Sequence, residues 1–197
     1  LVDMISFGKF KGFIVKLLYL AEAPQFLNLE MIISQLNLAS NMTIADFGAG
    51  HGLFSVAFAR KLRPSGQVYA IDVLPQAIES IRSRAKLEGL LNVRPVRGNL
   101  EVAGGSTLPD ASCDLVFVAN VLFQVPDKNT LLAEASRVLK PAGRLVVIEW
   151  RPYTAVGPQK EHRMTEEEVK QLVLSKGFGE AQTIDAGSHH YGFIFKK

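Results

Sequence analysis

Short runs of β-branched and aliphatic residues alternate, from Thr43 onward, with segments whose apolar residues recur every three or four positions. The first pattern is typical of strands and the second of helices that bury one face. Strands are predicted at Thr43–Phe47, Gln67–Ile71, Asn92–Arg97, Cys113–Ala119 and Arg144–Trp150. Because strands and helices alternate, the chain is expected to form βαβ units and a parallel sheet.

Local signals mark where the helices begin and end. A helix is predicted over Leu53–Leu62, and another starts at Pro75, a residue suited to the first helical position, and stops before Gly89. Asp127 is placed to cap a further helix, which is expected to end at Pro141.

The C-terminal part predicts one more helix and a hairpin. Thr165 and Glu168 have the spacing of a capping box, and Gly177 would close the helix that follows. Gly179–Lys197 predicts two strands, antiparallel to each other and joined around Gly187–His189.

The N-terminal segment differs in composition from the rest of the chain. The shift divides the protein into residues 1–40, predicted to be an N-terminal helical cover, and residues 41–197, the main domain of one globular unit. The cover is predicted from apolar residues at helical spacing, namely Phe7, Phe10, Ile14, Leu17, Leu18 and Ala21.

Composition excludes several classes of protein. The 197 residues are 48% hydrophobic, enough for one sizeable core, and contain no uncharged apolar run long enough for a membrane-spanning helix. The single Cys113 excludes an intramolecular disulfide and a zinc ribbon, and favours a reducing, cytoplasmic location. The net charge of +3 comes from scattered basic residues, which argues against a nucleic-acid face.

A glycine-rich turn is the most informative segment. The strand Thr43–Phe47 runs into residues 48–52, Gly-Ala-Gly-His-Gly, and a helix follows. Three glycines at alternate positions leave out Cβ atoms, so a ligand can lie against main-chain N–H groups near a helix N-terminus. The next strand ends at Asp72, 22 residues after Gly50. In a doubly wound sheet that carboxylate lies beside the turn, within reach of a ribose diol.

Two ligand classes use such a turn. Dinucleotide sites favour Gly-x-Gly-x-x-Gly or Ala, but counting from Gly48 places Leu53 at the third position, and counting from Gly50 places Ser55 there. The segment instead has Asp-x-Gly-x-Gly-x-Gly, from Asp46 to Gly52. It resembles motif I of the class I S-adenosylmethionine-dependent methyltransferases.

The resemblance extends over about residues 26–197. Within the family, the chain resembles small bacterial and archaeal enzymes of the ubiquinone/menaquinone-biosynthesis C-methyltransferase type. It implies an α/β, doubly wound, Rossmann-like sheet of seven strands with the last antiparallel and helices on both faces, which fits the predicted hairpin. Family-like segments occur in the expected order at residues 68–72, 114–117, 137–145 and 176–178.

The resemblance implies S-adenosylmethionine as cofactor, S-adenosylhomocysteine as product and a small molecule as methyl acceptor. Gly48, Gly50 and Gly52 would lie under the methionine portion, with Asp46 near its ammonium group. The other residues implied in cofactor binding are Asp72 at the ribose, Val73, Asn99 and Leu100 at the adenine, and Ala119 and Asn120 at the methionine portion and transferred methyl.

Three positions depart from the family pattern. Asn99 stands where an aspartate is usual, although its amide oxygen can still accept a hydrogen bond from the adenine amino group. Phe123 stands where many relatives carry a histidine. Ala142 replaces a common glycine, and a type I turn with Gly143 last is expected to tolerate it.

Candidate bases are few. Methyl transfer from a sulfonium depends mainly on alignment in a dry pocket, so no catalytic base is assigned; the candidates are His51, Tyr153 and His162. His189 and His190 are expected on the surface of the hairpin, and no metal site is predicted. The segment Glu161–Arg163 is interpreted either as a solvated linker or as a substrate lid.

The leading functional prediction is a methyltransferase acting on a small molecule, with the N-terminal cover helping to select a hydrophobic acceptor. A helix packed on the core, on a second subunit or on a membrane surface is the alternative for that segment. The alternatives for function are a binding-only domain, supported by Asn99 and Phe123, and a nucleotide-dependent oxidoreductase. The oligomeric state is left open.

Overall fold

The computed structural model describes residues 27–62 and 65–197. A single sheet runs through these ranges, with strands β1 (Thr43–Phe47), β2 (Gln67–Asp72), β3 (Val93–Arg97), β4 (Cys113–Ala119), β5 (Leu139–Trp150), β6 (Gln182–Ile184) and β7 (His190–Lys196). The strand order is β3-β2-β1-β4-β5-β7-β6. Strands β1 to β5 are parallel, β7 is antiparallel to β5, and β6 is antiparallel to β7. The predicted doubly wound sheet with its antiparallel C-terminal hairpin is confirmed.

The helices begin where the sequence signals place them. Asp127 accepts a hydrogen bond from the Thr130 N–H at 3.0 Å, and Thr165 and Glu168 form the predicted capping box. The α-helices of the described ranges are α1 (Leu29–Ser34), α2 (Leu53–Leu62), α3 (Pro75–Leu87), α4 (Lys128–Val138) and α5 (Glu166–Leu174). Two short 3₁₀ helices lie at Leu122–Gln124 and Lys160–His162.

The chain order reverses across β1, which pairs with β2 on one side and with β4 on the other. In open parallel sheets this switch point leaves a crevice at the carboxyl ends of the strands, where ligands bind. One apolar cluster covers each face of the sheet. On one face the rings of Phe54 and Phe58 pack on Phe117, with centroids 4.5 and 5.0 Å from it, so α2 is fixed directly behind the glycine turn.

The start of β5 differs from the prediction. Helix α4 ends at Val138 rather than at Pro141, and β5 begins at Leu139 rather than at Arg144. The strand leaves the regular register after its first pair, because residues 140–143 bulge between the pairs that Leu139 and Arg144 make with β4. Pro141 therefore does not end α4. The helix ends earlier, because the chain begins to pair with β4 before it reaches Pro141.

The turn inside this bulge also corrects an expectation. Ala142 has a φ of +61°, in the left-handed region. A type I turn keeps both central φ angles negative, so the expected type I geometry is wrong, and the position favours glycine.

Residues 27–40 lie on the sheet. Ile32 and Leu36 are fully buried in one core cluster, and the Gln35 side chain exchanges two 2.8 Å hydrogen bonds with the main chain of Asp185. The prediction of a helical cover falls mostly on residues 1–26, outside the described ranges, and stays a prediction. Across the described parts of the chain, no helix has both the length and the apolar character needed to cross a bilayer.

Candidate functional site

The glycine turn joins β1 to α2 and closes tightly against its neighbours. Gly48, Gly50 and Gly52 have φ angles of +73°, +56° and +79°. A Cβ atom on Gly48 would lie 2.5 Å from Val121 Cγ2, and one on Gly52 would lie 2.7 Å from Ile81 Cγ1. Two of the three glycines are thus required by protein packing as well as by backbone conformation.

The N–H groups of the turn have partners inside the protein. Gly48 and Ala49 both donate to the Ile71 carbonyl at 2.9 Å, and Gly50 donates to Asp72 Oδ2 at 3.0 Å. The expectation that the glycines present these N–H groups to a ligand is therefore corrected for residues 48–50. Their contribution is a close approach to the backbone, and the turn is locked to the end of β2.

Two buried carboxylates flank the turn. Asp46, at the end of β1, accepts a 2.5 Å hydrogen bond from the Ser55 hydroxyl, and Asp72 accepts from Leu74 N–H at 2.9 Å as well as from Gly50. Burial raises the pKa of Asp46 to about 7, opposed by the Ser55 hydrogen bond and helped by the charge of Asp72. Within the described residues, no lysine or arginine forms an ion pair with Asp46.

The positions predicted to meet an adenine lie after β2 and β3. Val73 is 44% exposed beside Asp72. Asn99 is exposed, and its Oδ1 accepts from Glu101 N–H at 3.0 Å, which makes a local Asx turn. Leu100 is buried in a core cluster, so its side chain serves packing.

A wall follows β4. Ala119 ends the strand, and Asn120 has a φ of +57° with its N–H bonded to the Ile148 carbonyl. The next two N–H groups, of Val121 and Leu122, donate to Glu149 Oε1 at 3.0 and 2.7 Å. Because Val121 packs on Gly48, the Glu149 carboxyl holds one side of the glycine turn in place.

Glu149 is almost completely buried at the end of β5. Burial raises its pKa to about 8, although the hydrogen bonds from the main chain of Leu122 and Val121 lower it. Glu149 is not among the site residues predicted from the sequence. A lone acid between the apolar residues of a predicted strand was the available signal, since such an acid must be either exposed or held by specific partners.

The three candidate bases are not brought together. His51 lies on the glycine turn, where its Nδ1 is 3.2 Å from Ser80 Oγ on α3. Tyr153 is 89% exposed in the loop after β5, and His162 is exposed in the short helix Lys160–His162. The geometry therefore assigns no general base among them.

The loop after β5 is organised by Arg163. Its guanidinium donates to the carbonyls of Pro158 at 2.8 Å, Thr154 at 2.8 Å and Val156 at 3.1 Å, and also reaches those of Arg151 and Pro152. This is a structural role for one member of the segment Glu161–Arg163. A cleft of about 570 Å³ opens beside the loop, lined by residues 151–155, 165–167, 188 and 189.

His190 is not on the surface as predicted. It is fully buried at the start of β7, with its Nε2 3.2 Å from Asn120 Nδ2, whereas His189 is partly exposed. Within residues 27–62 and 65–197 no group of three or more His, Cys, Asp or Glu side chains is arranged to hold a metal ion.

The family model described as a methyltransferase domain matches residues 38–190. The demethylmenaquinone methyltransferase of Geobacillus sp. (strain WCH70) is 30% identical over 128 residues, 65% of this chain and 53% of the relative. The ubiquinone/menaquinone biosynthesis C-methyltransferase of Pectobacterium atrosepticum is 29% identical over 152 residues, 77% of this chain and 57% of the relative. The chain spans about half the length of these curated relatives.

Solved structures share the fold. A SAM-dependent methyltransferase from Aquifex aeolicus has a TM-score of 0.83 and 24% identity, with 94% of this chain and 97% of that chain covered. The 1,6-didemethyltoxoflavin-N1-methyltransferase of Burkholderia thailandensis, solved with S-adenosylhomocysteine, has a TM-score of 0.62 and 22% identity, with coverages of 86% and 76%.

Fold and glycine turn together define a class I S-adenosylmethionine-dependent methyltransferase domain, as the sequence resemblance predicted. The chain belongs to the methyltransferase-domain family matched over residues 38–190.

Proposed function

We propose that this chain transfers a methyl group from S-adenosylmethionine to a small-molecule acceptor. The observation that carries the proposal is the link between the glycine turn and β2, in which Gly50 N–H donates to the Asp72 carboxylate while buried Asp46 stands at the entry of the turn. Membership in the methyltransferase-domain family supports the same activity.

The residues present suit this cofactor. The charge of Asp72 disfavours ionisation of the buried Asp46, and a ligand that carries positive charge offsets that repulsion. In the proposal Asp46 faces the ammonium group of the cofactor. A carboxylate has about four acceptor positions, so Asp72 serves both the turn and the ribose hydroxyls.

The remaining cofactor contacts follow the edge of the sheet. Val73 packs on the adenine through its exposed side chain, and Leu100 contributes its main chain. The amide oxygen of Asn99 accepts two hydrogen bonds, one from Glu101 N–H and one from the adenine amino group. Ala119 and Asn120 border the methionine portion and the methyl group.

Bound S-adenosylmethionine supplies a methyl group that is already activated by positive charge. The protein then has to hold that carbon in line with the acceptor and keep water away. Glu149 fixes the wall at Val121 and Leu122, and Gly48 lets this wall approach the turn. Since His51, Tyr153 and His162 lie apart, alignment rather than proton abstraction supplies the catalysis.

The acceptor proposed is a hydroxylated ring of the quinone class, methylated on carbon. Two relatives that act in menaquinone and ubiquinone biosynthesis by name support this class. Transfer forms the new carbon–carbon bond and breaks the carbon–sulfur bond, whose electron pair stays on sulfur. The methylated ring carbon then loses its proton to bulk water once the product has left the pocket.

The test is calorimetric titration of the full chain with S-adenosylhomocysteine and, in parallel, with NAD. Binding of the first alone is expected; binding of NAD alone overturns the proposal in favour of a nucleotide-dependent oxidoreductase. Transfer of labelled methyl from S-adenosylmethionine to 1,4-naphthalenediol is then measured. Cofactor binding with no transfer to this or related hydroxylated rings indicates the binding-only alternative.

A further inference from the structure

His190 and Trp150 form a buried pair where β5 ends and β7 begins. The two residues face each other in the β5–β7 register, and their ring centroids are 4.1 Å apart. His190 is fully buried. Gly157, in the loop organised by Arg163, approaches Trp150 so closely that a Cβ there would lie 2.5 Å from the indole ring. The loop therefore covers part of the Trp150 indole.

The contact between His190 and Asn120 fixes which atoms carry protons. Asn120 Nδ2 lies 3.2 Å from His190 Nε2, and an amide nitrogen can only donate, so Nε2 accepts and the ring proton is on Nδ1. Burial lowers the pKa of His190 to about 3, which keeps the ring neutral. Beyond their mutual contact, His190 and Asn120 therefore offer one further donor, His190 Nδ1–H, and one further acceptor, Asn120 Oδ1.

Neither of these two atoms has a hydrogen-bond partner among the residues that the structure describes. A buried polar atom left in this state costs about 1–3 kcal/mol, and such atoms in native proteins call for a specific explanation. Asn120 follows β4, where the proposed methyl group lies, so the explanation we favour is a ligand group. Arg151, whose charge also lowers the pKa of His190, pairs with Glu166 at 2.6 Å.

We infer that His190 and Asn120 form the recognition subsite for an uncharged hydroxyl group of the acceptor, with His190 Nδ1–H donating to the hydroxyl oxygen and Asn120 Oδ1 accepting its proton. The inference rests on the proposed methyltransferase function and adds the feature by which the acceptor is recognised. A hydroxyl matches both atoms, whereas an ether or a carbonyl matches only the donor. His190 is a binding residue here, and its neutral ring does not act as a base.

The first experiment uses the unmodified chain saturated with S-adenosylhomocysteine and ¹⁵N-labelled on histidine. NMR is expected to show His190 protonated on Nδ1, and 1-naphthol to shift that nitrogen. 1-Methoxynaphthalene and naphthalene should shift it less and bind about tenfold more weakly, the value of one buried hydrogen bond. Equal binding of all three probes overturns the inference. So does a His190 ¹⁵N shift that does not change when 1-naphthol is added, because only water then reaches that nitrogen.

The second experiment uses variants. His190→Phe keeps an aromatic ring beside Trp150 and removes both nitrogens, so the preference for 1-naphthol over 1-methoxynaphthalene should be lost. The matched control is His189→Phe, which should keep the preference. A preference that survives in a folded His190→Phe protein contradicts the inference; if that variant does not fold, the NMR titration decides. Failure of S-adenosylhomocysteine to bind the unmodified chain would instead count against the proposed function.

Discussion

The Gly50 N–H donates a 3.0 Å hydrogen bond to Asp72 Oδ2, across 22 residues of chain. One carboxylate therefore both fixes the glycine turn and stands where the proposal places the ribose of the cofactor. The same contact ties the first two strands together at the switch point of the sheet, since Gly48 and Ala49 donate to the preceding residue, Ile71.

Asp72→Ala is expected to weaken S-adenosylhomocysteine binding by about 1.5–3 kcal/mol in calorimetry, because it removes a charged acceptor for two hydroxyls. Glu79→Ala, which removes an exposed carboxylate on α3, is the control and should leave the affinity unchanged. Melting curves of both variants separate loss of binding from loss of the turn. An Asp72→Ala protein that binds as tightly as the parent contradicts the assignment.

Asn99→Asp should hold or improve the affinity for S-adenosylhomocysteine. One carboxylate oxygen can keep the Glu101 N–H bond, and the other is a stronger acceptor for the adenine amino group than an amide oxygen is. Asn99→Ala, which has neither oxygen, should bind more weakly. Complete loss of binding in a folded Asn99→Asp protein would show that the residue has a different neighbour.

Glu149 should make the free energy of unfolding depend on pH. Its pKa is raised to about 8 in the folded protein, so its contribution is fully present below its ordinary pKa of 4.5 and is lost as the pH rises through about 8. Glu149→Gln keeps the acceptor for Val121 and Leu122 N–H and has no proton to lose. Urea unfolding at pH 5, 6.5 and 8 is expected to show the parent losing stability relative to Glu149→Gln, by at most about 5 kcal/mol.

If the free energies of unfolding of the parent and of Glu149→Gln change in parallel with pH, or in opposite directions to those expected, Glu149 is already ionised in the folded protein. Asp46 adds a trend of the same sign, because its pKa is also raised, to about 7. Since Asp46 is present in both proteins, the difference between the two curves isolates Glu149.

Ala142→Gly should raise the free energy of unfolding by about 0.5–1 kcal/mol, since the φ of +61° strains an L-residue and suits glycine. The control is Ala133→Gly, an exposed position inside α4, which should lower the free energy of unfolding by about 1 kcal/mol. Both values come from urea unfolding. If both substitutions destabilise, the left-handed turn does not form in solution.

Deleting residues 1–20 tests the predicted N-terminal cover. The truncated chain is expected to fold and to bind S-adenosylhomocysteine with nearly the parent affinity, but to lose methyl transfer to 1,4-naphthalenediol. Circular dichroism, calorimetry and the transfer assay check the three parts. Loss of folding or of cofactor affinity would assign the segment to the core instead.

Much of the fold could be predicted because the responsible signals are local. β1, α2 and β4 begin and end at the predicted residues, since apolar runs and glycines bound them directly. The start of β5 could not be predicted this way. Its first residues are chosen by pairing with β4, a contact that a pattern of nearby residues does not contain.

In the site, too, some relationships could be predicted from the sequence and others could not. The proximity of Asp72 to the glycine turn follows from the topology of a doubly wound sheet and is predictable from spacing alone. The burial of His190 could not be predicted from spacing, because it depends on Trp150 in the paired strand and on Asn120, the residue that follows β4. Glu149 likewise takes its role from N–H groups that the chain brings to it only after folding.

Arg163 binds the loop after β5 through main-chain oxygens, from Arg151 to Pro158. Every residue type has a carbonyl, so the path of the loop is largely independent of which side chains it displays. Tyr153 and Ala155 can be exchanged while the backbone stays in position over Trp150, whereas Gly157 cannot. Substitutions at Tyr153 and Ala155 can therefore reshape the cleft beside the loop without moving its backbone or the glycine turn.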